Sequence, residues 1–186
     1  MARIKIIEHN EATGELLEIY NNLIATRGKL ADVHKIQSLR PRSIVKHMDL
    51  YLEIMFSNSA LSRADREMMA VVVSAANNCE YCQLHHAEAL NHYWKNYDKI
   101  NKLRSDYHIS ELDSRQLILC EFAHELTKNP SHFNEPNFIH QLKNEGLKDD
   151  AILDATLVIS YFNFVNRMVL SLGLEADEQE IKGYKF

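Results

Sequence analysis

The chain has 186 residues, 46% hydrophobic and 25% charged, with a formal net charge of −5. Those values suit one soluble globular domain spanning 1–186 with a single sizeable core. No basic block offsets the negative charge, which argues against nucleic acid as the main partner. No apolar run reaches about 18 residues, which on the usual criterion excludes a transmembrane helix.

The polar start, MARIKIIEHNEATGE, lacks the apolar centre of a secretory signal. Three cysteines, two of them three apart, are not a secreted disulfide framework and point to a reducing, cytoplasmic setting. Five glycines and three prolines leave few hairpin signals. Apolar residues recur at spacings of three and four instead, so the expected class is all-α.

Residues 1–10 read as an extended, loosely attached lead-in. An amphipathic helix over 12–25 follows, with Leu16, Leu17, Ile19, Tyr20, Leu23 and Ile24 as its stripe, and Arg27-Gly28 ends it. A short helix over 33–39 should stop at Pro41. Ser43 then caps a longer one whose inward set is Ile44, Val45, Met48, Tyr51, Leu52, Met55 and Phe56. Ser62 with Asp65 is an N-cap pair. The helix it opens, through Met68-Met69-Ala70-Val71-Val72-Val73, is apolar nearly all round and should be central, although the valine run also reads as a buried strand.

Asn77-Asn78 is a turn or cap signal before a helix that carries Cys79, Cys82 and His86 and runs to Trp94. Further helices are expected over 97–103 and over 115–128, the second opened by Ser110 with Asp113. Another starts at Glu135-Pro136 and stops at Gly146. The last runs over 151–172 and is closed by Gly173. Residues 175–186 read as an exposed tail. The segments LSRADREMMAVVVSAAN and ISELDSRQLILCEFAHELT echo one another. The echo fits two related helical halves, and equally any two capped amphipathic helices.

The chemistry gathers at 67–86. On a helix, Cys79, Cys82 and His86 share one face at spacings of three, four and seven. Both thiols fall in the first turn, where the helix dipole and unpaired N–H groups favour thiolate. Cys79, the helix end and His86 should together lower the pKa of Cys82. Glu67, on an apolar helix folding back beside the cysteines, is the candidate carboxylate for a relay running Glu67, His86, Cys82. Buried, it needs a partner such as His86.

A thiolate of this kind can attack a peroxide O–O bond and become a sulfenic acid, which the second cysteine condenses to a disulfide that external reductant reopens. Each residue also has an ordinary reading. The cysteines could be small buried residues, Glu67 a solvated carboxylate, His85 an outward or pocket-rim residue, and Tyr81 a packing residue whose phenol reaches the site. Cys120 reads as a buried structural thiol beside Leu117 and Ala123. Met48, Met55, Phe56 and Trp94 are pocket-wall or interface candidates, with core packing the default. Zinc is the rival chemistry, with Cys79, Cys82 and His86 as ligands and Glu67 or His92 as a fourth, although such ligands usually come from two segments.

Glu67, eleven intervening residues, then Cys79-x-x-Cys82-x-x-x-His86 resembles the alkylhydroperoxidase AhpD-like core of the carboxymuconolactone decarboxylase superfamily, in its uncharacterised peroxidase-related branch. Softer matches are Ala12-Thr13-Gly14, the run from Ser74 to Cys82, and Gly146 to Asp149 leading to Tyr161-Phe162-Asn163-Phe164-Val165-Asn166-Arg167. The resemblance implies an all-α bundle assembled as trimers or hexamers, acting as a thiol-dependent peroxidase or disulfide reductase without cofactor or metal. In that scheme Cys82 becomes the sulfenic acid, Cys79 is its proton donor and disulfide partner, and His86 and Glu67 form the relay.

A histidine lies between the cysteines of characterised alkylhydroperoxidases, whereas Tyr81 stands there in this chain. The superfamily's decarboxylases lack the cysteine pair, which points away from lactone decarboxylation. The expected partners are a hydrogen peroxide or organic hydroperoxide substrate, a thiol reductant and further copies of the chain, with no nucleic acid and no membrane. The alternatives are a non-enzymatic redox-sensing or disulfide-exchange protein and a structural zinc protein.

Overall fold

The computed structural model describes residues 2–134, 137–176 and 181. These form nine α-helices, two short 3-10 turns and no strand. In chain order the helices are α1 Gly14–Arg27, α2 Asp32–Lys35, α3 Pro41–Phe56, α4 Arg63–Ala76 and α5 Glu80–Trp94. They continue with α6 Tyr97–Ser105, α7 Ser114–Lys128, α8 Asn137–Asn144 and α9 Asp149–Leu172.

The start of α4 is fixed by reciprocal bonds. Ser62 Oγ accepts from the Asp65 N–H and Asp65 Oδ2 from the Ser62 N–H, both at 3.0 Å, which satisfies two otherwise orphaned donors. Eleven of its fourteen residues are buried, so α4 is the axis on which α5, α6, α7 and α9 pack. The valine run is helix, not strand. α7 begins with the same device built from Asp113 and Gln116. Ser110, expected to share in it, instead donates to the Lys99 carbonyl at 2.8 Å.

Pro41 starts α3 rather than stopping the segment before it. Its missing N–H falls among the first donors of the helix, which have no intrahelical acceptor. The inward face of α3 is Ile44, His47, Met48, Ile54 and Met55. Val45, Leu52 and Phe56, expected inside, are 38–40% exposed. Two arginines of α4 decide this end of the helix. Arg66 Nη1 donates to the Ile54 and Ser57 carbonyls at 3.1 Å, and Arg63 Nη1 to the Met55 carbonyl at 3.0 Å. The Arg63 guanidinium lies 3.6 Å from the centroid of Phe56, on the outside of the bundle.

The lead-in is fastened rather than loose. Arg3 donates through its backbone N–H to the Leu172 carbonyl at 2.8 Å, and through Nη1 to Leu170 and Ser171. These take up carbonyls that the end of α9 leaves free. Contrary to the expectation from run length, α9 is by length and mean hydropathy apolar enough to span a membrane. In this fold it buries Ala155, Val158, Ile159, Phe162 and Val169 and packs against α4 and α7. The expected helix start at Glu135-Pro136 and most of the expected tail lie outside the described residues.

Candidate active site

α4 ends at Ala76, and Asn78, at φ 54, turns the chain so that Cys79 becomes the N-cap of α5. That reversal lays α5 against α4 and places Glu67 beside His86, nineteen residues on. Glu67 is fully buried. Its Oε2 accepts from His86 Nδ1 at 2.6 Å, and its Oε1 accepts from Arg63 Nε and Nη2 at 2.9 and 2.5 Å. Burial works to raise the Glu67 carboxyl, but the His86 ring and then Arg63 outweigh it and hold it below the usual carboxylate value. An ionised carboxylate only accepts, so Nδ1 carries the His86 proton and Nε2 is left for the cavity that His86 lines. Phe162 steadies the ring edge-on at 4.4 Å.

Cys79 and Cys82 are free thiols with Sγ atoms 2.8 Å apart, beyond the roughly 2.05 Å of a disulfide. The thiol of Cys82, hydrogen-bonded to Cys79, pulls the Cys79 pKa down against burial, with a smaller contribution from the Cys82 backbone N–H. The same bond, then burial and the charge on Cys79, push Cys82 well up. This reverses the expectation that Cys82 is the depressed thiol. The helix starts at Glu80, so the cap position beside the free N–H groups belongs to Cys79. No hydrogen bond joins His86 to either sulfur.

Cys82 lines a cavity of about 110 Å³. Cys79, wholly buried, lies behind it. The wall comes from other helices: His47, Met48 and Tyr51 of α3, Tyr161, Phe162 and Val165 of α9, and Arg27, Lys29 and His34 toward the segment that joins α1 to α2. Tyr81 is in the lining too, its Oη accepting from the Val33 N–H at 3.3 Å. His85 lines it with its ring 4.2 Å from that of Tyr81. Of the expected wall residues only Met48 takes part. Met55 is core, Phe56 is exposed under Arg63, and Trp94 sits against Lys99. Cys120 is buried away from the site, and burial pushes its thiol up.

Sequence reasoning did not find Arg63, Asn166, His47 or Tyr161. The first had a signal, its position four residues before Glu67. Asn166 is fully buried. It accepts from Asn77 Nδ2 at 3.1 Å and donates to Ser74 Oγ at 3.3 Å, which ties the turn before Cys79 to α9. Asn163 joins the same turn at 3.0 Å. Only the Tyr161–Arg167 resemblance marked that stretch, without a role. Among the described residues no three His, Cys, Asp or Glu side chains converge as metal ligands would.

No curated protein matches the chain. Residues 44–103 match the carboxymuconolactone decarboxylase family. The fold is similar to the alkylhydroperoxidase AhpD core of an uncharacterized peroxidase-related protein from Ralstonia eutropha JMP134. That comparison has a TM-score of 0.86 at 22% identity and covers 97% of this chain and 94% of that one. An uncharacterized peroxidase-related protein from Silicibacter sp. TM1040 gives 0.84 at 24% identity, over 97% of each chain. The debrominase Bmp8 gives 0.78 at 16% identity, over 97% of this chain and 98% of its own. The segment similar to the carboxymuconolactone decarboxylase family holds Glu67, Cys79, Cys82 and His86 together, and the whole chain shares the fold of the peroxidase-related proteins.

Proposed function

We propose that the chain is a thiol-dependent peroxidase that reduces hydrogen peroxide or organic hydroperoxides. One observation carries this reading: a hydrogen-bonded thiol pair with one member on a cavity and the other directly behind it. The dithiol first gives up one proton, for which His86 Nε2, backed by ionised Glu67, is the acceptor. The remaining thiolate rests on Cys79. As Cys82 attacks the terminal peroxide oxygen, its proton passes to Cys79, the O–O bond breaks, and Cys82 becomes a sulfenic acid while the departing oxygen takes up a proton, matching the one first given to His86, and leaves as alcohol or water. The Cys79 thiol then attacks the sulfenic sulfur, a water leaves, and the disulfide forms. A thiol reductant, small or protein, reopens it. Surface apolar side chains on α9, Leu153, Leu157, Phe164 and Leu170, support assembly of several copies.

The test is peroxide consumption with excess dithiothreitol. Wild type should turn over many times, and Cys82→Ser should lose consumption. Cys79→Ser should react once and accumulate a dimedone-trappable sulfenate on Cys82. Full consumption by Cys82→Ser overturns the reading. A single oxidation without turnover favours a redox sensor.

A further inference from the structure

A second chain of hydrogen bonds reaches the cavity through α3 and α9, and its proton directions are fixed from its outer end. Gln37 Nε2 lies 2.8 Å from the Val33 carbonyl oxygen, which can only accept, so the amide nitrogen occupies that place. The same nitrogen lies 2.7 Å from His47 Nδ1. An amide nitrogen has no lone pair to offer, so Nδ1 is the acceptor. The imidazole therefore carries its proton on Nε2 and donates it to Tyr161 Oη at 2.7 Å. Burial pushes His47 down to about 4, in keeping with a neutral ring. With His47 donating to it, Tyr161 must send its own O–H elsewhere. Among the described residues His47 is its only hydrogen-bond partner, and Tyr161 lines the same cavity as Cys82.

We propose that Tyr161 is a catalytic residue of this site, donating its O–H to the hydroperoxide oxygen that departs, with His47 and Gln37 as positioning residues. The proposal rests on the peroxidase reading and assigns the phenol to strongly basic leaving oxygens, which depart poorly without a proton. As Cys82 takes the terminal OH, the O–O bond breaks and its electron pair goes to the alkyl oxygen. The Tyr161 proton moves to that oxygen, alcohol leaves, and solvent returns a proton to the phenolate. The thiol sulfur is oxidised and the peroxide reduced by the same two electrons.

The experiment compares two peroxides in single turnover on the full chain: tert-butyl hydroperoxide, with a strongly basic leaving alkoxide, and a peroxybenzoic acid, with a weakly basic leaving carboxylate. Tyr161→Phe should slow sulfenate formation with the alkyl hydroperoxide about 10²-fold and leave the peroxyacid rate roughly unchanged. Gln37→Leu, which unlocks the His47 tautomer, should move the ratio of the two rates in the same direction. That ratio, taken within one preparation, does not depend on how much of a variant folds. Equal effects on both peroxides, or none, overturn the role of Tyr161 while leaving the peroxidase reading intact. Wild type reacting with both no faster than free cysteine overturns the reading and this inference together.

Discussion

Replacing Arg63 with methionine tests whether the site holds a buried carboxylate in its charged form. The Glu67 side chain is 0% exposed and that of Arg63 13%. Methionine can keep part of the packing on Phe56 but leaves Glu67 Oε1 without its two N–H donors. Stripping one partner from a buried ion pair costs about 3–5 kcal/mol. At roughly 2–4 °C per kcal/mol for a chain of this size, the midpoint should fall by about 6–20 °C.

The pH dependence has a definite sign. The folded-state carboxyl lies below 4.5, so its stabilisation is complete above that value and is lost as pH falls through the folded value. In Arg63→Met the carboxyl rises and the loss begins at higher pH. Thermal and urea melts followed by circular dichroism, from neutral pH downward, read both effects. Arg63→Met with Glu67→Gln should cost less than the two single changes summed, because no orphaned charge remains. A loss under about 1 kcal/mol at neutral pH, the value of a surface pair, would refute the reasoning.

Cys82→Ala removes the donor that lowers Cys79, so the thiolate titration seen by ultraviolet absorbance should shift to higher pH. Cys120, held up by burial, stays silent, and an unchanged midpoint would contradict the assignment. His47 titrates at about 4 against 6.5 when exposed, so stability should erode as pH falls through that window, by up to about 1.4 kcal/mol per pH unit. In His47→Gln that part of the slope should vanish, and equal slopes would rule out a neutral buried imidazole. Gly173 closes α9 at φ +76, where an added Cβ would meet Arg3 Cγ at 3.0 Å. Gly173→Ala should therefore cost about 1–2 kcal/mol in a melt, and a neutral result would contradict a left-handed close of α9 at that residue.

The all-α class and the course of α4 and α5 were legible because local signals agree: a reciprocal cap, an all-round apolar run, a turn at Asn77-Asn78. The grouping of Glu67 with His86 followed from one reversal between adjacent helices. What could not be read depends on a single residue of register or on distant pairing. Which of two hydrogen-bonded thiols donates decides which is depressed, and a one-residue shift of the cap adds the backbone N–H to the side of Cys79. Pro41 fits both after a segment and at the first helical position, and only packing decides. Glu67 also fits a solvated carboxylate, and Arg63, four residues before it, gains its role only when α3 covers both. His47 and Tyr161 lie 114 positions apart, and nothing local announces either.

The sulfur chemistry and much of the container come from different pieces of chain. Sulfurs, imidazole and acid ride on α4 and α5, where α4 is also the centre of the core, so almost any change there also disturbs folding. The enclosing wall, with Met48 and Tyr51 on α3 and Val165 on α9, belongs to helices whose outer faces are solvated. Such a division lets the accepted molecule drift in size and shape through wall replacements while the electron-transferring end stays as it is.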